Sequence, residues 1–574
     1  MESTTQTVLA TAKENATLWT SAIFDEATRD EAARLLAAGG DELIEPFYKD
    51  LDFGTGGMRG IMGVGTNRIN PYTLGLATQG LAGYAQAHFG GKSLKAAIAF
   101  DSRNNSKEFA RKVAEVLSAN GIHTYLFEDL RPTPELSFSV RELGCDFGIV
   151  LTASHNPKEY NGYKVYWNDG GQLVPPHDSG VIDKVRATRF EDIRWDANEA
   201  LIEIIGSEID EKYTDMVAGL SLSNAGKNDL NIVFTALHGT SIVSVPPALE
   251  KAGFTKVQLV EAQSTPDGNF PTVASPNPEE SAALAMAVAQ AEATGADLVI
   301  GCDPDTDRVG IAANDGTGKM QLLNGNDTAA LLVHYILNAY KVNGTLPANG
   351  FTAATVVTSD LIADISAAYG VPCYRCLTGF KWIADIINHK PEEQFLVGGE
   401  ESYGYLIGDA VRDKDAVASA VMIAEMAASA KAQGRTVLEQ LEAIHREFGQ
   451  YQERLISITK KGRSGAQEIA DMMTALRNDP PKTLAGSPVI IAIDHSNSTQ
   501  TDLRSGATSS TELPASNVLQ FITEAGDKVS ARPSGTEPKI KFYFSVRTTT
   551  GDSHAATKAE LERKIDTFIE ELNL

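Results

Sequence analysis

Short apolar, β-branched runs recur along the chain, and the clearest three each lead into a polar or glycine-rich loop. Phe147-Gly148-Ile149-Val150-Leu151 runs into Thr152-Ala153-Ser154-His155-Asn156-Pro157. Asp297-Leu298-Val299-Ile300 precedes Asp303-Pro304-Asp305-Thr306-Asp307-Arg308, and Gln394-Phe395-Leu396-Val397 precedes Gly398-Gly399-Glu400-Glu401-Ser402-Tyr403-Gly404. Helical patterns follow. Strands alternating with helices predict α/β domains. In such sheets ligands gather beyond the carboxyl ends of the strands, so three separate stretches each offer a loop to one shared cleft.

The last part of the chain has a different rhythm. Val518 to Ile522, Lys528 to Arg532 and Lys539 to Val546 predict strands joined by short turns, and Ala556 to Leu572 predicts a helix. That order predicts a smaller α+β domain with an antiparallel sheet. At the other end, the stretch up to about Glu45 has a helical pattern and is expected to pack as an extension on the first domain.

Length adds that the 574 residues suffice for roughly three to five domains. No apolar run approaches the ~20 residues of a membrane span. The opening MESTTQTVLATAKENATLW lacks the basic start and apolar block of a secretory signal, so a cytoplasmic protein is expected. The formal net charge of −25 disfavours broad contact with nucleic acid or anionic membrane. It leaves room for a small anion, because a few Arg and Lys in one cleft can reverse the local potential. Cys145, Cys302, Cys373 and Cys376 are too few for a disulfide scaffold. Cys373 and Cys376 form a C-x-x-C, but no second pair completes a zinc site, and ordinary packing is the simpler reading.

Four loops carry candidate chemistry. Ser154 follows an apolar strand and precedes a proline; it fits an activated nucleophile or a plain helix cap and turn. Asp303, Asp305 and Asp307 put three carboxylates at alternate positions, where a bound cation such as Mg²⁺ relieves their repulsion. A solvated acidic loop is the alternative. An EF-hand is excluded, because Arg308 and Asn314 stand where Gly and Glu are required. Glu400, Glu401 and Ser402 can hydrogen-bond vicinal sugar hydroxyls, although adjacent acids are most often merely solvated. Arg532-Pro533-Ser534-Gly535-Thr536-Glu537-Pro538-Lys539 reads equally as a phosphate nest or a tight hairpin turn. A Walker A loop is absent, with Gln86 in place of its first Gly, and so is a G-x-S-x-G elbow.

Taken in order, these loops resemble the α-D-phosphohexomutase family, the phosphoglucomutases, phosphomannomutases and relatives. The resemblance runs from Phe53-Gly54-Thr55-Gly56-Gly57-Met58-Arg59-Gly60 to Arg532-Pro533-Ser534-Gly535-Thr536, nearly the whole chain. It implies an α/β fold of four domains around a central cleft, three of them α/β with mixed sheets and the last a smaller α+β domain. The boundaries expected are 1–205 (helical extension and phosphoserine loop), 206–324 (metal), 325–452 (sugar) and 453–574 (phosphate).

By the same resemblance, Ser154 is the phosphoserine, and Asp303, Asp305 and Asp307 bind Mg²⁺ together with its phosphate. Arg59 and Arg308 steady the transferring group, Lys164 lies near the reacting hydroxyl, and His155 assists proton transfer. Glu400 and Ser402 bind sugar hydroxyls, while Arg532, Ser534, Gly535 and Thr536 hold the non-reacting phosphate. His238 and Gly239, Thr378, Gly379 and Lys381, and Lys414 match cleft-facing segments. The implied activity interconverts hexose 1-phosphate and hexose 6-phosphate. It passes through a hexose 1,6-bisphosphate, with glucose 1,6-bisphosphate as activator. Sugar phosphates are the expected partners and a monomer the expected state. The Glu-Glu-Ser triplet followed by Tyr403 looks like the glucose-preferring branch. The N-terminal extension and Asn161-Gly162-Tyr163-Lys164-Val165-Tyr166 look like the branch that includes phosphopentomutases and bisphosphate synthases. Mannose and pentose phosphates, and a phosphatase using the same serine, stay open at this point.

Overall fold

Phe147–Leu151 is buried at all five positions, as a strand covered on both faces must be. In this computed structural model, which describes residues 2–54, 56–460, 462–534, 539–548 and 554–574, it lies inside a six-stranded sheet. The chain forms two compact units, one of Met1–Leu323, Ala384–Pro391 and Ser402–Gly434, the other of Asn324–Ile383, Glu392–Glu401 and Arg435–Leu574.

In the first unit the six-stranded sheet has the order Gly57–Ile61, Tyr160–Trp167, Phe147–Leu151, Lys95–Phe100, His123–Phe127, Ile202–Ile205. The last four strands are parallel and Tyr160–Trp167 is antiparallel to both its neighbours. Val150 faces Lys164 in that register, so residues 152–159 form the reversal between two core strands. Gly162 is required there: a Cβ would stand 2.5 Å from the Thr152 carbonyl oxygen and 2.7 Å from that of Met58.

A second sheet has the order Met320–Leu323, Val309–Asn314, Leu298–Cys302, Ile232–Thr235, Val257–Leu259. Leu298–Cys302 and Val309–Asn314 are antiparallel with Cys302 opposite Val309, which makes 303–308 a hairpin loop at a strand's carboxyl end. The expected N-terminal helices are Glu2–Leu18, Glu26–Ala38 and Gly40–Phe47, gathered around Trp19, Phe24 and Phe47.

Helix Ala416–Ala432 is apolar on every side and nearly all buried, the pattern of a core helix. Its one acidic residue, Glu425, is fully enclosed. Glu425 accepts from the amides of Leu222 (2.8 Å) and Ser223 (3.1 Å) and pairs with Lys227 Nζ at 2.9 Å. A buried charge this well matched is tolerated where a lone one is not.

In the second unit, Cys373–Cys376, Gly350–Thr355 and Gln394–Gly399 run parallel. Residues three apart on a strand point to opposite faces, so Cys373 and Cys376 do not pair and both are free. The C-terminal sheet is antiparallel as expected, in the order Gln450–Thr459, Lys539–Thr548, Lys528–Pro533, Leu519–Thr523, Ser487–Asp494, Thr499–Asp502, Thr508–Ser510. Helices Gly462–Asn478 and His554–Glu571 cover it through Ile469, Met473, Leu561, Ile565 and Phe568. Among the described residues no helix is long and apolar enough to cross a membrane.

Candidate active site

Two loops of the first unit meet at Ser154. Its hydroxyl donates to Asp303 Oδ2 at 2.7 Å, and His155 Nδ1 lies 3.1 Å from Ser154 Oγ. Ser154 has φ +52°, a left-handed backbone that side-chain-bearing residues adopt at a cost of about 1–2 kcal/mol. Its amide is held by Thr152 Oγ1 at 2.9 Å. Burial, and next the cations Arg308 and Arg59, hold His155 well below the usual imidazole range, which favours the neutral ring.

All three carboxylates of the acidic loop are buried, which excludes the solvated alternative. Oxygens of Asp303, Asp305 and Asp307 lie within 4.8 Å of one another. Burial, and then the carboxylates of Asp305 and Asp307, push Asp303 far above the carboxylate range. Burial acts the same way on Asp307, but Lys164, Lys414 and Arg308 outweigh it and hold Asp307 well down. Asp305 Oδ1 and Asp307 Oδ1 are buried with no hydrogen-bond donor among the described residues. Hard oxygens that crowd together, two of them without a hydrogen-bond donor among the described residues, fit a divalent cation.

The loop's shape is enforced from outside. Thr306 has φ +60°, unusual for a β-branched residue. It is held by Thr240, whose hydroxyl lies 2.7 Å from that of Thr306 and donates to the Pro304 carbonyl at 3.0 Å. Gly239 lets the two segments touch, because a Cβ there would stand 2.4 Å from Pro304 Cα. His238 is buried; its Nδ1 lies 3.0 Å from the Thr265 carbonyl and its Nε2 2.9 Å from Thr272 Oγ1, so both nitrogens are engaged within the protein. Thr133 donates to Asp305 twice, from its amide to the carbonyl (2.9 Å) and from its hydroxyl to Oδ2 (3.1 Å).

Two lysines converge on the acids. Lys164 Nζ donates to Asp305 Oδ2 (2.6 Å) and Asp307 Oδ2 (3.0 Å), and Lys414 Nζ lies 3.3 Å from Asp307 Oδ2. Lys414 also pairs with Asp413, which accepts from Tyr166 Oη at 2.7 Å. Gly404 makes room for the Lys414 stem, since a Cβ would meet its Cδ at 2.1 Å. Arg308 pairs with Glu279 and reaches Asp307 at 3.7 Å. Arg59 donates to Asn156 Oδ1 at 2.8 Å.

Asp415 caps helix Ala416–Ala432 by accepting from the amides of Val417 and Ala418, both at 2.9 Å. Burial pushes it up to about 6 against the pull of those amides and of Tyr213. A carboxyl raised from 3.8 contributes stability below the lower value and loses it as pH rises through the upper one. The stability of the wild type relative to Asp415→Asn should therefore fall by about 2 kcal/mol between about pH 4 and pH 7, measured by urea unfolding at each pH.

The second unit holds the other predicted residues. Glu400 follows strand Gln394–Gly399, is buried, and accepts from the Gly379 amide at 2.8 Å. Thr378 is half-buried, and Lys381 Nζ lies 5.0 Å from the Trp382 ring centre. Arg532 and Glu400 both act on the Tyr543 phenol, which is pushed up first by burial and then by the Glu401 carboxylate. The Ser534 amide donates to the Lys539 carbonyl at 2.7 Å. Gly535 and Thr536 lie outside the described residues. Ser402, back in the first unit, is half-buried.

Sequence reasoning passed over Arg103, Thr133, Thr240 and Asp413. Arg103 could have been found, because Asp101-Ser102-Arg103 follows strand Lys95–Phe100 at its carboxyl end just as the other loops follow theirs. Thr133 sits between two prolines without a distinctive residue type. Asp413 is one acid among 75 acidic residues.

Comparison with known proteins accords with this arrangement. Family models described as phosphoglucomutase/phosphomannomutase alpha/beta/alpha domains I, II and III match residues 50–192, 211–316 and 324–448. A phosphoglucomutase of Staphylococcus epidermidis is 38% identical over 512 residues, 88% of this chain and 92% of that one. Among solved structures, the open form of Paramecium pp63/parafusin, a phosphoglucomutase, superposes with a TM-score of 0.65 at 17% identity, over 92% of this chain and 96% of that one. A variant of Aspergillus fumigatus N-acetylphosphoglucosamine mutase in complex with glucose 1,6-bisphosphate gives 0.51 at 12%, over 96% and 98%. Three matched domains in order, a relative alike along nearly its whole length, and a buried serine against three aspartates together place the chain in the α-D-phosphohexomutase family, as a phosphosugar mutase of the phosphoglucomutase type.

Proposed function

We propose that the chain interconverts glucose 1-phosphate and glucose 6-phosphate in the cytoplasm through a phosphorylated Ser154 and a glucose 1,6-bisphosphate intermediate. The observation that carries this reading is the 2.7 Å approach of the buried Ser154 Oγ to Asp303. The identity to phosphoglucomutases supports glucose over mannose or ribose. Magnesium is supported by the oxygen-only acidic trio and by an Aspergillus fumigatus N-acetylphosphoglucosamine mutase structure with GlcNAc-6P and magnesium.

In the forward half-reaction the bond between Ser154 Oγ and phosphorus breaks while a sugar hydroxyl oxygen bonds to phosphorus and gives up its proton to a base. The bisphosphate then turns end for end and returns its other phosphate to Ser154 Oγ. Asp303, Asp305 and Asp307 are the residues that would hold Mg²⁺, which when bound offsets the phosphoserine's charge of about −1.5 to −2. Arg59 and Arg308 add positive charge beside the transferring group. Neutral His155 is placed to pass a proton at Ser154 Oγ. Lys164 and Lys414 both reach Asp307 and add positive charge to the acidic trio. Glu400, Ser402, Thr378, Gly379 and Lys381 are assigned to the sugar, and Arg532, Ser534, Gly535 and Thr536 to the distal phosphate. Gly239 we assign to bracing the acidic loop, and His238 to holding the segment 265–272, since both its ring nitrogens are engaged there.

A coupled assay with Mg²⁺ and a trace of glucose 1,6-bisphosphate tests this against glucose 1-, mannose 1- and ribose 1-phosphate. Glucose 1-phosphate should show a kcat/KM at least about tenfold above the others. Faster turnover of mannose or ribose phosphate would overturn the glucose assignment, and release of inorganic phosphate without isomerisation would overturn the mutase cycle.

A further inference from the structure

The reversal that carries Ser154 turns several of its carbonyl groups inward, toward a single side chain. Arg103 is fully enclosed, and its guanidinium donates to three of them and to the first carbonyl of the next strand: Nη2 to Ser154 O (2.6 Å) and Asn156 O (2.5 Å), Nη1 to Pro157 O (2.8 Å) and Tyr160 O (3.0 Å). Its third nitrogen, Nε, lies 3.3 Å from Asp101 Oδ2. Asp101 is in turn fixed by the Arg103 amide at 2.9 Å and by Ser106 Oγ at 2.8 Å. The Phe270 ring centre lies 5.2 Å from Arg103 Cζ. Phe270 belongs to a segment docked closely enough that a Cβ on Gly268 would stand 2.4 Å from the Asn104 amide nitrogen. His238 pins that segment at three points: its ring reaches Thr265 and Thr272, and its carbonyl accepts from the Asp267 amide at 3.1 Å.

We propose that Arg103 is the positioning residue of the reaction, a clamp that fixes the Ser154 carbonyl and hence the aim of its hydroxyl, and that the Phe270 segment, pinned by His238, is the clamp's outer half. The proposal rests on Ser154 as the phosphoryl carrier. A planar fork of five N–H donors can serve four carbonyls on one side and an acid on the other. An ammonium on a flexible stem has three donors and no plane. Ser154 sits in a left-handed conformation, so without the clamp its turn has a ready route to relax, and the hydroxyl moves with it. Displacement of a reacting atom by an ångström is enough to cost about 100-fold in rate.

The test uses the full chain with Mg²⁺, glucose 1-phosphate and glucose 1,6-bisphosphate. Arg103→Lys should lower kcat about 100-fold and leave KM within about threefold, because substrate contacts are not removed. Transfer of labelled phosphate from glucose 1,6-bisphosphate to the protein should slow in parallel. A kcat within about threefold of the wild type, or a loss carried by KM alone, overturns the proposal. Where Arg103→Lys fails to fold, Phe270→Leu decides: it keeps the guanidinium and removes only the ring, and kcat should fall about fivefold at constant KM. An unchanged kcat there overturns the proposal. Ser154→Ala is run alongside. If that variant still turns over, the carrier assignment has failed; if it is dead while Arg103→Lys is fully active, the clamp alone has.

Discussion

Ser154→Ala should lower isomerase turnover of glucose 1-phosphate by about 10⁵-fold, the scale on which enzymes lose rate when a covalent carrier is removed. Binding of glucose 1-phosphate, followed by calorimetry, should change little, because the sugar and distal-phosphate residues are untouched. Labelling of the protein by glucose 1,6-bisphosphate should disappear. Alanine is the informative substitution. Ser154 has φ +52°, and alanine meets nearly the same backbone cost there as serine, so the change is confined to the hydroxyl. Glycine would relax the turn and confuse a lost nucleophile with a displaced one. Turnover reduced by less than about tenfold would remove Ser154 from the reaction.

Chelation should be nearly as severe. EDTA should reduce turnover about 10⁴-fold, and added Mg²⁺ should restore it, since cations supply several kcal/mol of stabilisation to phosphoryl transfer. The same titration should be visible in stability. Burial and the neighbouring carboxylates hold Asp303 far above its ordinary range, and one oxygen each of Asp305 and Asp307 has no hydrogen-bond donor among the described residues. A ligand that relieves both stabilises the folded chain by mass action, so the melting temperature should rise as Mg²⁺ is added back. Full activity in EDTA together with an unmoved melting temperature would exclude a metal at this loop.

Much of this was legible in the sequence, for identifiable reasons. The strand before Ser154 and the strand before Asp303 are unbroken apolar runs, so their carboxyl ends, and the loops that must follow, stood out. The C-terminal strands Leu519–Thr523, Lys528–Pro533 and Lys539–Thr548 fell within one or two residues of expectation because turn residues separate them sharply. Thr499–Asp502 and Thr508–Ser510 were not read as strands at all; TQTD and TSS have no apolar alternation, and they are strands only because neighbours pair with them. The bracing residues were hidden for a related reason. Arg103 reaches the loop across 51 residues and Thr133 reaches Asp305 across 172, and no local pattern encodes such a meeting. His238 was read as a cleft-facing residue; its ring nitrogens are engaged by Thr265 and Thr272, partners 27 and 34 residues away that no local pattern announces.

Lys414 stands one residue before the cap of a helix that is buried along almost its entire length and tied down again at Glu425. Segments with few enclosed contacts open by themselves, whereas segments in the middle of a core open only when the whole core does. The lysine beside the acidic loop therefore belongs to the most slowly exchanging part of its unit. Warming should not fray it loose ahead of the rest, so the lysine should stay in place until the unit melts.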